Sequence, residues 1–547
     1  MNGRNLPRSE PQRGASPVLW LAAVGLALFG IYLLTRSQSH LWDAIAYVAR
    51  VVDDPLLCDR YLSTCYFHPH HLFYVPFAKG FYLLFKGLGI GEDPFLPLQF
   101  ANSLLGGGCV FLTGLLVLRV TGDFLPSLMT AAGIGVSNGL WCYSTSVEVM
   151  VPAMFFALLG LFILMSTRAL IGWAAAGLAF SASILLHQIS VLIAGVLTFV
   201  LLLGLLRSRV RPRNVFVFAG SWVGATGFAY LAVAFWDQGA TSVGDVMRWL
   251  LTVRSRSSFS GMFLPQSLYT TAKVLPQAFV SLDPLFDTRG VGLLSRSRIL
   301  DLLAMAVPAA GMAFLWLASL PGTIRALRRR DLITWGIILG VAVIAAFVIW
   351  FQPWNTDYWV YLLPLVWGAI GLHIPVGRAP QAASRGRKYY LWASVIVVSI
   401  VGLGNLHLEA LPARQPDNAS YRDLVQFASG HFKSGDLFVS DLGMAAIPFF
   451  VGVEVFPPPT EGRADEEARF RARIRSALER TTPDSMRIFL MQEDLTRVEA
   501  CCRTELDARP IGDLRGRAVL HVFRSRAGGA EPPPRETVPP SRERNRH

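Results

Sequence analysis

The chain has 547 residues, of which 53% are hydrophobic and 16% charged, and its mean hydropathy is +0.43. With Gly counted and Tyr left out, roughly 59% of it is apolar, against about 45–50% for soluble domains, so a soluble multidomain protein is excluded. The net charge of +13 does not point to nucleic acid, because the basic residues sit in short runs between apolar stretches instead of on one face of a soluble domain. Arg supplies all but five of the 50 basic residues, a bias of the kind a GC-rich genome produces.

Eleven apolar runs are long enough to cross about 30 Å of hydrocarbon at about 1.5 Å per residue. They lie near residues 17–35, 97–118, 124–142, 149–166, 169–187, 189–206, 214–236, 300–321, 332–351, 358–375 and 389–408. A further segment, 71–90, is apolar but carries Pro76, Lys79 and Lys86, with both lysines on one helical face. Such a helix lies in the interface with its lysines among the headgroups. Loop charge supports that reading. If 71–90 does not cross, seventeen basic residues face the cytoplasm against three acidic ones, Glu10, Asp123 and Asp331, whereas an extra crossing would put fourteen of the seventeen outside.

The expected architecture is therefore a polytopic α-helical membrane protein of about eleven transmembrane helices with a small C-terminal extracytoplasmic α/β domain. Residues 1–16 form a cytoplasmic tail, 17–408 the multi-span region, 409–526 the α/β domain and 527–547 a disordered Pro- and Arg-rich tail. Strand-like runs at 437–440, 453–456, 486–491 and 518–523, with a helical pattern at 464–480, define that domain. It has no GxGxxG or Walker pattern. The expected location is a bacterial plasma membrane, with the N-terminus cytoplasmic and the polar loops outside.

On that outer side, Asp43 follows the first span by eight residues, with Tyr47 one helical turn on. A carboxylate there can take a proton from a hydroxyl nucleophile, although spacing alone fits a solvated interfacial Asp equally simply. Glu148 and His187 also sit at the outer mouths of spans, where an ionisable group is costly unless it faces a polar cavity or caps the interface. In the long outer loop, Arg254 and Arg256 beside aromatic residues suit a lipid phosphate, or adhesion to anionic headgroups. Trp354, Asp357 and Tyr358 form an aromatic turn of the kind found in interface belts. His68, His70 and His71, with Asp53, Asp54 and Asp59, offer a donor set for a divalent metal or simply a structural turn. Cys58 and Cys65 would share an oxidising compartment in which a disulfide forms.

The order of these segments resembles the GT-C superfamily of membrane glycosyltransferases, in the branch related to protein O-mannosyltransferases. The resemblance is carried by Asp43, by HPHHLFYVPFAKGFYLLFKGLGIGED, by NSLLGGGCVFLTGLLVLRV and by LWCYSTSVEVMVPAMFFALLGLFILM, and covers roughly the first 210 residues. It implies transfer of a sugar from a polyprenyl-phosphate donor to an extracytoplasmic acceptor, whether protein, lipid or glycan. It also implies that Asp43 is the general base, that His68 and Pro69 form the family's His-Pro turn, and that Glu148 matches an acidic residue of the family's Glu-Val-Tyr-like segment. Where the family follows the Asp with Ser, Gly and a second acid, this chain has Ala44, Ile45 and Ala46. The competing readings are a transporter or lipid flippase, which would call for inverted repeats, and an inactive envelope scaffold. The triplet Gly106, Gly107 and Gly108 fits broken helices or close helix packing.

Overall fold

The computed structural model describes residues 16–40, 42–52, 67–90, 93–256, 264–282, 296–373 and 384–415, together with the helices and strands found within 422–524. Asp53, Asp54, Asp59, Cys58, Cys65 and the tail 527–547 lie outside the described residues. The chain divides into two units, Met1–Arg422 and Asp423–His547.

The first unit is helical. It comprises α1 (Pro17–Leu34), α2 (Trp42–Val51), α3 (Tyr74–Gly87), α4 (Phe95–Thr121), α5 (Phe124–Val136), α6 (Asn138–Thr145), α7 (Met150–Ser166), α8 (Leu170–Leu186) and α9 (Ser190–Leu206). There follow α10 (Pro212–Trp236), α11 (Val243–Arg256), α12 (Leu264–Val274), α13 (Arg296–Arg328), α14 (Leu332–Phe351), α15 (Thr356–Trp359), α16 (Leu363–His373) and α17 (Ser384–Asn405). Every apolar run thus contains a helix, but among the described residues six helices are long and apolar enough to cross a membrane unaided, or seven if α6 and α7 count as one span bent by 115°. The five runs that fall short, α5, α7, α8, α9 and α16, form helices of 11 to 17 residues. Two of them are interrupted. The run 124–142 breaks at Ser137, and the start of 358–375 is taken up by α15 and a 3-10 turn over Val360–Leu362. At 14 residues, about 21 Å, α3 is too short to cross by itself.

The glycine triplet packs helices. A Cβ on Gly107 would stand 2.6 Å from the Gly25 carbonyl oxygen, and one on Gly25 would stand 2.9 Å from that of Gly107. Only glycine lets α1 and α4 approach so closely.

The α6–α7 break would leave carbonyls without donors inside an apolar bundle, a costly state. Three polar residues of α4 answer it. Gln99 donates through Nε2 to Ser37 O at 2.7 Å and Thr145 O at 3.1 Å. Asn102 Nδ2 lies 3.2, 3.0 and 2.8 Å from the carbonyls of Tyr143, Ser146 and Glu148. Ser103 donates to Ser144 O at 2.8 Å. The bend is therefore held from outside the segment that bends.

The second unit is a five-stranded sheet in the order β2-β1-β3-β5-β4, from β1 (Leu437–Val439), β2 (Glu454–Phe456), β3 (Ile488–Met491), β4 (Leu506–Leu514) and β5 (Arg517–Arg524). β1 runs parallel to β2 and β3, and β5 is antiparallel to β3 and β4. Alternate side chains cover the two faces. Phe470 and Ile474 of α19 (Ala464–Arg480) pack on Leu437, Val439 and Leu490, while Leu424 and Ala428 of α18 (Arg422–His431) pack with Phe438 and Phe489. The expected strands at 437–440, 453–456, 486–491 and 518–523 correspond to β1, β2, β3 and β5. β4 was not anticipated, because Arg509, Pro510, Gly512 and Asp513 give it little strand character; it lies at the sheet edge, where Pro is tolerated, and its register shifts between Pro510 and Gly512.

Candidate active site

The site is built by helix ends that meet at one level. α2 presents Asp43, Tyr47 and Arg50 at spacings of four and seven, so they share a face. The other face of α2 is apolar, with Ala44, Ile45, Val48 and Ala49 fully or almost fully buried. The turn before α3 brings His68, His70 and His71; the α6–α7 break brings Glu148; the α8–α9 junction brings His187; and the α14–α15 turn brings Gln352, Asn355, Asp357 and Tyr358. Together they line a polar cavity of about 290 Å³.

Several contacts fix this wall. The His68–His71 turn docks on the α8–α9 junction through Gln188 N donating to His70 O at 2.9 Å and Phe73 N donating to Leu185 O at 2.9 Å. From α10, Tyr230 donates to the carbonyl of Pro69 at 2.6 Å. His71 stacks between His68 (centroids 4.7 Å apart) and His187 (5.8 Å), and His187 lies 5.8 Å from the Tyr358 ring. Tyr47 Oη and His71 Nε2 are hydrogen-bonded at 3.1 Å.

The acidic side is equally specific. Glu148 is 2% exposed. Tyr143 of α6 donates to Asp357 Oδ1 at 2.5 Å and bonds with Thr356 Oγ1 at 2.6 Å. Asn355 caps α15 by accepting from the backbone N–H of Asp357 at 3.0 Å. Arg50 is 7% exposed, its guanidinium lies 5.9 Å above the Tyr47 ring, and its Nε has no hydrogen-bond partner.

Three carboxylates crowd one cavity, with Arg50 as the permanent cation on its wall. Asp43 retains accessible surface because it lines the cavity, yet it is so hemmed in by protein that its proton affinity rises. Burial, then the nearby negative charge of Asp357, pushes its carboxyl up to about 6, while Arg50 opposes the shift. Burial also raises Asp357, against which the hydrogen bonds from Tyr143 and at Asn355 work. Burial pushes His70 down to about 4, so it is neutral at neutral pH.

Of the residues singled out in the sequence, the cavity gathers Asp43, Tyr47, His68, His70, His71, Glu148, His187, Asp357 and Tyr358. Arg254 and Arg256 end α11, but their side chains lie outside the described residues. Their neighbour Arg248 is exposed and pairs with Asp245 at 3.4 Å. Among the charged cavity residues, Arg50 was passed over in the sequence, though its place seven residues after Asp43 on one face was a usable signal. Asp357 was absorbed into an aromatic belt, and nothing local marks it. Of the suggested metal donors, Asp53, Asp54 and Asp59 lie outside the described residues; among the described residues no group of three His, Cys, Asp or Glu converges as an ion's ligands must.

A second cavity, of about 370 Å³, is almost wholly apolar and is lined by residues of α4, α7, α8, α9, α14 and α16, among them Leu116, Leu161, Trp173 and Ile337. Tyr361 lines it, three residues after Tyr358 of the polar cavity.

The helical bundle and the small terminal sheet are a fold that the chain shares with ArnT from Cupriavidus metallidurans bound to undecaprenyl phosphate, at 13% identity and a TM-score of 0.59, covering 92% of this chain and 97% of that one. The apo form of the same protein aligns at 14% identity and a TM-score of 0.53 over 92% and 97% of the two chains. The mycobacterial arabinofuranosyltransferase AftD aligns more loosely, at 13% identity and a TM-score of 0.44 over 93% of this chain and 42% of that one. No protein-family profile and no curated protein sequence matches this chain.

Proposed function

We propose that the protein is an integral membrane glycosyltransferase that moves a sugar from a polyprenyl-phosphate donor to an extracytoplasmic acceptor, in the branch related to protein O-mannosyltransferases. The observation that carries this reading is the pairing, on one face of α2, of a carboxylate with raised proton affinity and a buried guanidinium lacking one partner, both lining one polar cavity. The binding of undecaprenyl phosphate by a protein of the same fold supports the choice of donor.

The acceptor hydroxyl attacks the anomeric carbon while Asp43 takes its proton. The bond from that carbon to the phosphate oxygen breaks with both electrons leaving on the prenyl phosphate. Arg50 faces the developing anion, where a preorganised cation in a site shielded from bulk water acts strongly. Arg254 and Arg256 are proposed to attract the donor headgroup, and His68, Glu148, His187 and Tyr358 to shape the sugar and acceptor subsites. The apolar cavity lined by Tyr361 has the chemistry to hold part of a prenyl chain. A single displacement inverts the anomeric centre. Purified protein incubated with a panel of polyprenyl-phosphate sugars should consume one of them and give a product of inverted anomeric configuration by NMR; a retained configuration would rule out the single displacement.

A further inference from the structure

The acid absent from the residues that follow Asp43 reappears from far along the chain. Ala44, Ile45 and Ala46 offer no carboxylate, yet Asp357 of α15 lines the same cavity as Asp43. We infer that Asp357 is a positioning residue that acts through Asp43: a fixed negative charge that Tyr143 and the α15 cap hold in the cavity so that Asp43 remains a strong enough base. For its catalytic consequence this inference rests on the reading of Asp43 as base; for its electrostatic content it does not.

The geometry separates Asp357 from an ordinary turn-capping residue. The cap of α15 is Asn355, whose side chain accepts from the Asp357 N–H, so the Asp357 carboxylate is not needed to start that helix. The carboxylate instead takes the Tyr143 hydroxyl at 2.5 Å, a charge-assisted bond that favours its ionised form. Tyr143 is itself locked, since the α6 backbone that carries it is held by Asn102 and Ser103 of α4. An ionised group fixed in this way raises the proton affinity of another carboxylate sharing its cavity, as like charges do.

The other groups facing Asp43 do not duplicate this effect. On α2, Tyr47 is a neutral phenol and Arg50 pulls in the opposite direction. The turn before α3 supplies His68, His70 and His71, and the α8–α9 junction supplies His187; these imidazoles carry no negative charge in any protonation state they reach. Glu148, from the α6–α7 break, is the deepest of the three acids, and a carboxyl so buried favours its neutral form. Tyr358, beside Asp357, is a neutral phenol. Asp357 is thus the acid with a dedicated side-chain donor holding its charge in place.

The experiment follows carboxyl protonation directly, by infrared titration of the full-length protein carrying ¹³C-labelled Asp, and in parallel the pH profile of kcat/KM. In the wild type one Asp carboxyl should titrate near pH 6 and vanish in Asp43→Asn. Asp357→Asn should move that titration, and the acidic limb of the rate, down by about one to two pH units. Asp357→Glu should restore most of the shift. Tyr143→Phe should also lower the limb, because Asp357 would then hold its proton more readily and cease to repel charge on Asp43. An unmoved Asp43 titration in folded Asp357→Asn would overturn the inference, whether or not transfer survives. Loss of transfer in the wild type with the titration behaving as stated would instead defeat the glycosyltransferase reading.

Discussion

At the scale of single residues, Asp43 and Arg50 divide the chemistry between them. Because the carboxyl of Asp43 is raised to about 6, its basic form predominates at neutral pH and is lost as pH falls through that value. Transfer should therefore decline below about pH 6 and hold steady above it, in a rate profile taken with saturating donor. Arg50→Gln should lower kcat/KM by about 10²-fold or more, as loss of a preorganised charge-stabilising donor does. Arg50→Lys should recover only part, since an ammonium lacks the planar fork that pairs with two phosphate oxygens. Equal activity in the wild type and Arg50→Gln would shift the phosphate-binding role to Arg254, Arg256 or another cation. Asp43, Glu148 and His187 could be singled out in sequence because each is an ionisable group beside an apolar run. Spacing puts Arg50 on the face of Asp43, but its burial, and the approach of Asp357 from far along the chain, are encoded by no local pattern.

At the scale of elements, the α6–α7 bend positions Glu148 and Tyr143, and α4 holds that bend. Asn102→Leu keeps the side chain's approximate size while leaving three carbonyls without their donor. A buried polar group stripped of its partner costs about 1–3 kcal/mol, so the variant should unfold at lower temperature in detergent. A melting temperature equal to that of the wild type would mean that the bend is held elsewhere. Gly107→Leu should be more damaging, because its side chain would strike the backbone and Phe29 of α1. In sequence, Gly106–Gly108 was compatible with either a broken helix or close packing; the structure shows close packing, and the break falls instead after Thr145. The apolar runs themselves were legible because lipid leaves hydropathy as the dominant pattern. The lengths of α5 and α16 were not, since a break at Ser137 ends one helix and a 3-10 turn over Val360–Leu362 delays the other within runs that remain apolar overall.

At the scale of the whole molecule, the sign of the loop charges sets the proposed topology, with the polar cavity outside and the Arg-rich loops at 207–213 and 325–330 inside. A single cysteine introduced at Ser208, in a background lacking the native cysteines, should resist a membrane-impermeant maleimide in intact cells, and one at Ser242 should react. The reverse pattern would invert the topology and place the cavity on the cytoplasmic side. The terminal sheet was legible from four strand-like apolar runs, and its edge strand β4 was hidden by residues that edges tolerate and central strands do not. Its proposed place outside makes acceptor recognition its expected contribution, so a chain ending near residue 422 should still bind donor but lose transfer to acceptor.

The most direct test of the central claim is transfer of radiolabelled sugar from polyprenyl-phosphate donors in proteoliposomes, comparing the wild type with folded Asp43→Asn. The account predicts transfer by the wild type and a loss of about 10²- to 10⁴-fold in the variant, the range removed with a general base. Transfer that persists undiminished in Asp43→Asn, or donor that crosses the bilayer without being consumed, would contradict it.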